Sequence, residues 1–247
     1  MKTKLLTLGL LAALPISANA ALSIEVATGN WDREISGDFQ AGASGTKLSL
    51  DGTGTNGLGL EDEKEGYTYA VFRHFVPLVP NIKVMTTSLS HTGSNSSVNF
   101  TFEGQTYNTP VNTKMVLDHT DITAFWNMLD TGVTFDLGLT ARQLDGEASV
   151  DDGSTKTTTT IDGTIPMLYA GIAISPTDNL RFSYEINWIG AGDSAFTDTI
   201  AKVSYHTDFM LGIEAGIRDM NIDLDDQDGN FANMDFSGTF IGVSFKF

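Results

Sequence analysis

The chain contains no cysteine, so no disulfide can stabilise its fold. It is also poor in bases, with 14 Lys and Arg against 31 Asp and Glu and a formal net charge of −17. This balance argues against binding to nucleic acid and against peripheral binding to anionic lipid, because both require basic patches. Beyond residue 20 we find neither helical periodicity nor an apolar run long enough for a membrane-spanning helix.

The first twenty residues have the three-part pattern of a secretory signal peptide. A short cationic segment, 1–4, precedes an apolar stretch, 5–16, and small residues follow at positions 18 and 20. This pattern predicts cleavage after Ala20, which leaves one domain at 21–247. Loss of the signal, which contains two lysines and no acid, changes the formal net charge from −17 to −19.

Apolar and polar residues alternate with period two in many segments of the remaining chain. In 211–218, for example, Leu, Ile, Ala and Ile alternate with Gly, Glu, Gly and Arg. Residues i and i+2 share a face of a strand, so such a segment has one apolar face and one polar face. A soluble sandwich with an apolar interior and a membrane barrel with an apolar exterior both produce this pattern.

The links between the predicted strands distinguish these two architectures. Links after the second, fourth, sixth and eighth strands are tight turns, whereas those after the first, third, fifth and ninth are long and polar. The link after the seventh, 190–196, is of middling length. Short turns at one end and long loops at the other are typical of transmembrane barrels. The ten predicted strands are 22–32, 66–76, 81–92, 114–128, 132–144, 164–175, 180–190, 197–206, 208–221 and 234–247.

We therefore expect an all-β fold, a transmembrane antiparallel up-and-down β-barrel with short periplasmic turns and long acidic extracellular loops. Eight or twelve strands are alternatives, because strands two and three do not divide cleanly into apolar and polar faces. The first loop, 36–65, is rich in glycine and is expected to be mobile. Phe182 and Phe247 are predicted at one membrane interface, and Trp188 and Tyr67 at the other.

The end of the chain is an amphipathic strand that finishes at Phe247. Such an ending resembles the terminal signal by which outer-membrane barrels are recognised for insertion. The expected partners are therefore the barrel-insertion machinery, engaged through Phe247, and the lipid and lipopolysaccharide of the outer membrane. No nucleic-acid partner is expected.

The predicted topology gives the lumen equal numbers of acids and bases. Unpaired charges in a narrow barrel are costly, so we expect a paired polar core, with a narrow passive channel as the alternative. Arg73, Lys83 and three acids are predicted near the periplasmic turns, and all remaining acids in or beside the outer loops. The residues predicted to face the lumen are Glu25, Asp121, Asp136, Glu185, Glu214, Arg142, Arg181, Lys202, Arg218 and Lys246.

Two segments resemble sites without matching them. The acidic segment 223–230 looks like a calcium loop, but Leu224 occupies the first ligand position, so only a loosely bound divalent cation stays possible. His119 and Asp121 share a strand face, where a carboxylate can orient an imidazole for base catalysis, and an outer-rim hydrolase is the second alternative function. No Gly-x-Ser-x-Gly motif accompanies them. We predict no catalytic, cofactor-binding or metal-binding residue.

Taken as a whole, the sequence resembles an uncharacterised family of small outer-membrane β-barrel proteins of Gram-negative bacteria. This resemblance implies a barrel in the cell outer membrane and brings no catalytic or binding residue with it. The leading hypothesis is a non-enzymatic surface barrel with a charge-paired lumen and acidic loops. The stretches that carry the resemblance are 58–63 (LGLEDE), 76–83 (VPLVPNIK), 137–140 (LGLT), 165–170 (IPMLYA), 212–216 (GIEAG) and 223–226 (DLDD).

Overall fold

The computed structural model describes residues 22–40, 42, 45–76, 78–225 and 229–247 of the chain. The predicted signal peptide, 1–20, lies outside the described residues, as do Pro77 in the first tight turn and 226–228 in the acidic segment. Within the described residues, no helix is long and apolar enough to cross a membrane.

All regular secondary structure in the described part of the chain is β-strand. The strands are β1 (Ser23–Gln40), β2 (Leu48–Ser49), β3 (Glu63–Arg73), β4 (Asn81–Thr87), β5 (Ser90–Asn95), β6 (Phe100–Phe102), β7 (Gln105–Tyr107), β8 (Val111–Asp130), β9 (Val133–Asp151), β10 (Lys156–Thr160), β11 (Gly163–Ile174), β12 (Leu180–Ala191), β13 (Ser194–His206), β14 (Leu211–Asp225) and β15 (Phe231–Lys246). Ten of them form the wall of a barrel, if β5 is counted as the continuation of β4. The wall strands are β1, β3, β4 with β5, β8, β9, β11, β12, β13, β14 and β15.

The wall closes on itself, because each wall strand pairs antiparallel with the next and β15 pairs with β1. At the seam the N–H of Ile24 donates to the carbonyl of Phe247 at 2.8 Å, and the N–H of Phe247 donates to the carbonyl of Ile24 at 3.0 Å. Closure leaves the wall without an edge strand. The predicted ten-stranded antiparallel barrel is therefore confirmed, and the alternatives of eight and twelve strands are wrong.

An apolar band surrounds the outside of the barrel. Ile213 and Ile241 are 63% and 62% exposed, whereas Glu214, next to Ile213 in β14, is 2% exposed and faces the lumen. Exposed polar residues such as Asp32 and Asp219 continue the outward face beyond the band. A closed sheet that is apolar outside and polar inside is the geometry of a transmembrane barrel. We call the end with the four tight turns periplasmic and the opposite end extracellular.

At the extracellular end the wall strands continue past the apolar band as paired sheet. The β8–β9 ladder runs from Asn112↔Asp151 down to Asp130↔Thr134. Two link predictions are consequently wrong. Only residues 192–193 join β12 to β13, and only 226–230 join β14 to β15, because these hairpins stay paired almost to their tips.

The first loop packs against the barrel instead of being free of it, so the prediction of a mobile loop is not supported. Its leucines at 48, 50, 58 and 60 are all buried, and β2 pairs with β1. The β6–β7 hairpin joins this loop through Thr46, whose N–H donates to the carbonyl of Thr101 at 2.9 Å. On its other side the hydroxyl of Tyr107 donates to Thr157 at 2.6 Å. The hairpin therefore bridges the first loop and β10.

Strands β3 and β4 explain the ambiguity of the second and third predicted strands. Tyr67, Tyr69 and Met85 are buried and face the lumen, so these strands carry large apolar groups on both faces. The assignment of Tyr67 to a membrane interface is therefore wrong. Phe182, Trp188 and Phe247 do face outward, with 43%, 42% and 55% of their surfaces exposed.

Candidate functional site: the barrel lumen

Four buried charged residues form a continuous network across the lumen, and we call it the arginine network. Arg142 donates to both carboxylate oxygens of Asp121, from Nε at 2.7 Å and from Nη2 at 2.6 Å, and also pairs with Asp198. Arg218 donates to both oxygens of the same Asp198, at 2.9 and 2.7 Å. The side chains are at most 5% exposed. Two acids and two bases therefore neutralise each other, which the burial of charge requires.

The arginine network extends almost from one wall to the opposite wall. Arg218 on β14 donates to Thr87 on β4 at 2.9 Å. These two strands lie four places apart in the ten-stranded ring. The Arg218 guanidinium also lies 4.7 Å from the ring centre of Trp31, and that of Arg142 lies 5.0 Å from the ring centre of Phe196. Aromatic faces thus cover the sides of the charges.

A second set of bonds crosses the lumen nearer the periplasm and centres on Glu214. The hydroxyls of Tyr67 and Tyr69 lie 2.7 and 2.6 Å from its two carboxylate oxygens, and Nζ of Lys202 donates to it at 3.0 Å. Lys202 also donates to the Tyr69 hydroxyl at 2.6 Å, while Glu25 lies 2.9 Å from that hydroxyl. The predicted lumenal positions of Glu25, Lys202 and Glu214 are therefore confirmed.

Two further ion pairs join strands on different sides of the lumen. Nζ of Lys83 donates to Glu185 at 2.5 Å, and Nη2 of Arg73 donates to Asp136 at 3.0 Å. Asp136 also accepts from the side-chain amide of Asn127 at 3.0 Å. Arg73 and Lys83 do lie near a periplasmic turn, as predicted, at the end of β3 and the beginning of β4. The prediction did not count them in the lumen, and there it was wrong, because both side chains reach these lumenal carboxylates.

Glycines in the wall make room for Tyr67. A Cβ atom on Gly29 would lie 2.6 Å from the Tyr67 hydroxyl and 2.3 Å from the carbonyl oxygen of Ile241. A Cβ atom on Gly242 would lie 2.4 Å from the same hydroxyl. The bare backbone at these two positions allows the tyrosine ring to reach Glu214, as glycine does elsewhere where a side chain approaches a strand closely.

The space left inside the lumen is unevenly distributed. Between the arginine network and the periplasmic ion pairs there are two small cavities, of about 20 and about 40 Å³. At the periplasmic mouth a vestibule of about 410 Å³ is bordered by Arg181 and Lys246, as predicted for residues of the inner face. On the extracellular side of the network lies a larger chamber of about 510 Å³.

A separate polar cluster lies beyond the apolar band, where β5 pairs with the first residues of β8. Nε of Arg33 donates to Nε2 of His91 at 3.0 Å, and Nη2 of Arg33 donates to Glu65 at 3.2 Å. Nδ1 of His91 lies 2.8 Å from the carbonyl oxygen of Glu61, so it carries the proton and donates. Burial lowers the pKa of His91 to about 4.

The structure brings together the predicted pair His119 and Asp121, but the side chains of both are already hydrogen-bonded to other groups of the chain. Nδ1 of His119 lies 2.9 Å from the carbonyl oxygen of Leu117, and Nε2 lies 3.1 Å from Nη2 of Arg218. A carbonyl only accepts and a guanidinium only donates, so Nδ1 is protonated and the lone pair of Nε2 faces Arg218. Asp121 is bonded to Arg142 through both oxygens. Neither group is free to take a proton from a substrate.

The same region contains a geometric candidate for a metal site. Ligand atoms of His119, Asp121 and Asp198 lie within 4.8 Å of one another, and all three residues are buried. Both carboxylates already pair with Arg142 or Arg218. A cation would have to displace guanidinium groups, so these residues do not fit a metal centre.

Sequence reasoning missed Asp198, which it counted among the acids in or beside the outer loops instead of in the lumen. The structure buries it at the centre of the arginine network. The sequence does contain a signal for its inward position. Residues an even number apart on a strand share a face, and Asp198 lies four residues from Lys202, which was predicted to face the lumen. The intervening Ile200 also faces inward and lines a lumenal cavity. An apolar side chain on the polar face made this part of β13 look irregular.

The closed wall, apolar exterior and charge-paired lumen define a transmembrane β-barrel of the outer-membrane type. Solved structures with similar architecture include Ail, the attachment invasion locus protein of Yersinia pestis (TM-score 0.38, 8% identity, 92% of this chain and 99% of that chain). A Pseudomonas aeruginosa FadL homologue is also similar (TM-score 0.35, 8% identity, 92% of this chain and 90% of that chain). So is the Ralstonia pickettii toluene transporter TbuX (TM-score 0.28, 8% identity, 92% of this chain and 89% of that chain). No protein-family model and no curated protein sequence matches the chain. None of these similarities bears on function.

Proposed function

We propose that the chain is a barrel of the Gram-negative cell outer membrane whose lumen is closed, and that it is a non-enzymatic surface protein. The predicted signal peptide, the closed wall and the apolar band support this location, since an exported chain that crosses a membrane with strands requires all three. The observation that carries the proposal is the arginine network, whose hydrogen bonds join β4, β8, β9, β13 and β14 across the lumen.

Closure follows from the size of the space that remains. The cavities of about 20 and about 40 Å³ beside the network have room for isolated waters, because one water needs roughly 10–15 Å³ of such space. A conducting path requires a continuous column of water through the barrel. Buried ion pairs with complete hydrogen bonding oppose the opening of such a column, since separating them leaves uncompensated charges.

The contacts of His119 favour this function over an outer-rim hydrolase. Its Nε2 faces Arg218, and protonating that nitrogen would place a second cation beside the guanidinium. A general base needs a lone pair within reach of a substrate. His119 is only 4% exposed, and the lone pair of its Nε2 already accepts from Arg218.

A closed barrel acts through its exterior. In this proposal the apolar band contacts outer-membrane lipid, the extracellular strands stand among lipopolysaccharide, and the acidic loops are available for contacts outside the cell. The last strand, with Phe247 55% exposed, is the segment that the barrel-insertion machinery engages.

Ion conductance of the refolded chain 21–247 in a planar bilayer tests the proposal. Folding is verified beforehand by the heat-dependent shift in gel mobility. We expect no channel openings and no uptake of small sugars by vesicles that contain the protein. Steady single-channel openings would contradict a closed lumen and favour the passive channel. The double variant Asp198→Ala with Arg218→Ala removes the central ion pair while conserving net charge, and it is the comparison. It should conduct if the arginine network alone closes the lumen, and stay silent if the bonds around Glu214 close it as well.

A further inference from the structure

We propose that the extracellular half of the lumen is a binding chamber for a small, uncharged, apolar molecule. The chamber is the cavity of about 510 Å³ between the arginine network and the extracellular mouth. Its volume is within the range of roughly 300–1,000 Å³ typical of small-molecule sites. This inference goes beyond the proposed function, since the chamber lies outside the closure and its occupation does not depend on whether the lumen conducts.

Inward-facing side chains of consecutive wall strands form the chamber. Its wall runs from β8 through β9, β11, β12 and β13 to β14. The turn residue Glu103 and the links at Ile161 and Asn230 complete its border at the extracellular mouth. Each of these strands contributes at least one branched aliphatic or aromatic group. These groups are Leu117, Leu144, Ile165, Ile189, Phe196 and Ile222.

The two sides of the extracellular mouth are packed differently. On one side the chain fills the mouth with its own side chains, and Leu48, Phe100 and Tyr107 there are at most 2% exposed. On the chamber side, Ile165 and Ile189 point inward and remain partly exposed. Apolar surface inside a water-accessible cavity is unfavourable, and a ligand that displaces the water relieves that cost. One side of the extracellular mouth is therefore filled by the chain's own side chains, whereas the other side holds a cavity that a ligand could fill.

The charges around the chamber determine the class of the ligand. Among the described residues that border it, the charged ones are Glu103 and Asp223, both acidic, and none is a base. Arg142, whose guanidinium lies beneath Phe196, is fully engaged by Asp121 and Asp198. A carboxylate or phosphate would meet repulsion without a compensating cation. The ligand is therefore expected to be uncharged and apolar, such as a substituted benzene or a short hydrocarbon.

Photolabelling with 3-trifluoromethyl-3-phenyldiazirine, a small uncharged carbene precursor, tests the proposal. The full mature chain is refolded in phosphatidylcholine vesicles, and the labelled residues are located by proteolysis and mass spectrometry. We expect label on inward residues of the chamber, Ile165 and Phe196, and on lipid-facing residues such as Ile213. Excess ethylbenzene should abolish the first labelling by competition and only dilute the second, because a site saturates and lipid does not. An equal excess of phenylacetate should leave both unchanged.

Two variants on β11 provide the matched comparison. Ile165→Trp fills the chamber and should remove the saturable labelling, whereas Leu168→Trp, on the outward face and 55% exposed in the parent, should retain it. Ile189→Phe on the neighbouring strand replaces Ile165→Trp if that variant fails the gel-mobility test. Absent or non-saturable labelling inside the chamber would overturn the proposal, and so would saturable labelling that survives both filling substitutions. Conductance of the same samples reports separately on the closed lumen.

Discussion

Asp198 is the residue that links the two arginines of the arginine network. It accepts hydrogen bonds from Arg218 at 2.9 and 2.7 Å and also pairs with Arg142. Without its carboxylate, two buried guanidinium groups would share Asp121 alone. The Asp198 carboxylate therefore compensates the mutual repulsion of the Arg142 and Arg218 guanidinium groups.

We expect Asp198→Asn to lower the free energy of unfolding by about 3–5 kcal/mol, the usual cost of an uncompensated buried charge. Urea unfolding in lipid vesicles, followed by tryptophan fluorescence, measures the change. Asp178→Asn, at an exposed position in the β11–β12 turn, should lie within about 0.5 kcal/mol of the parent. Parent-like stability of Asp198→Asn would show that the two arginines do not require this carboxylate.

His91 gives the extracellular end a dependence on pH. Its pKa is about 4 in the folded chain, against 6.5 for an ordinary histidine. The unfolded chain therefore takes up a proton first as the pH falls, so the contribution to stability is complete above about pH 6.5 and is lost towards pH 4. The loss amounts to at most roughly 3 kcal/mol.

His91→Gln is the matched control for this dependence. A glutamine can accept from Arg33 and donate to the carbonyl of Glu61 without titrating. The unfolding free energies of parent and variant should therefore diverge between pH 6.5 and 4, in favour of the variant. Parallel pH profiles would mean that groups other than His91 dominate in this range.

At the scale of the element, close contact between neighbouring strands depends on bare backbone. Gly29 on β1 and Gly242 on β15 are partners in the ladder at the barrel seam, and both face the Tyr67 hydroxyl. The tyrosine therefore lies against a stretch of wall that carries no side chains.

Gly29→Ala should destabilise the barrel by about 1–3 kcal/mol, because its Cβ atom would lie 2.3 Å from a backbone oxygen that cannot move freely. Gly163→Ala, where nothing lies within 4 Å of the new methyl group, serves as the control and should be close to neutral. Unfolding free energies from urea titration compare the two. A larger loss at Gly163 would contradict the close-contact explanation.

Sequence alone located the elements well wherever one face is polar and the other apolar. β14 is such a strand, and its inward Glu214 and Arg218 were found. The prediction was wrong where the lumen itself holds large apolar groups, as at Tyr67 and Ile200, because period two then loses its contrast. Hairpin lengths at the extracellular end were also wrong, since polar residues of paired strands outside the membrane resemble loop residues. The pairing of Arg73 and Lys83 with distant acids depends on side-chain reach, which spacing along the chain does not encode.

At the scale of the whole molecule, the apolar band determines how the barrel sits in a bilayer. Ile213→Arg or Leu137→Arg should impair insertion by about 2–4 kcal/mol, the cost of an arginine that faces lipid near the middle of the membrane. Folding yield in vesicles measures the effect. Asp219→Arg, on the same face of β14 as Ile213 but beyond the band, should fold with the yield of the parent. Equal yields for Ile213→Arg and the parent would contradict the assigned lipid-facing side.

The seam between β1 and β15 also has a consequence for the time course of folding. It pairs the first wall strand with the last, from Glu25↔Lys246 to Gln40↔Phe231. Contacts between such distant parts of a chain form slowly, because the intervening polypeptide loses conformational entropy before the contacts contribute favourable free energy. The other nine ladders join strands that are neighbours in sequence and can form hairpin by hairpin. We therefore expect barrel closure to be the last and slowest event, and until it occurs two unpaired strand edges are open to other chains.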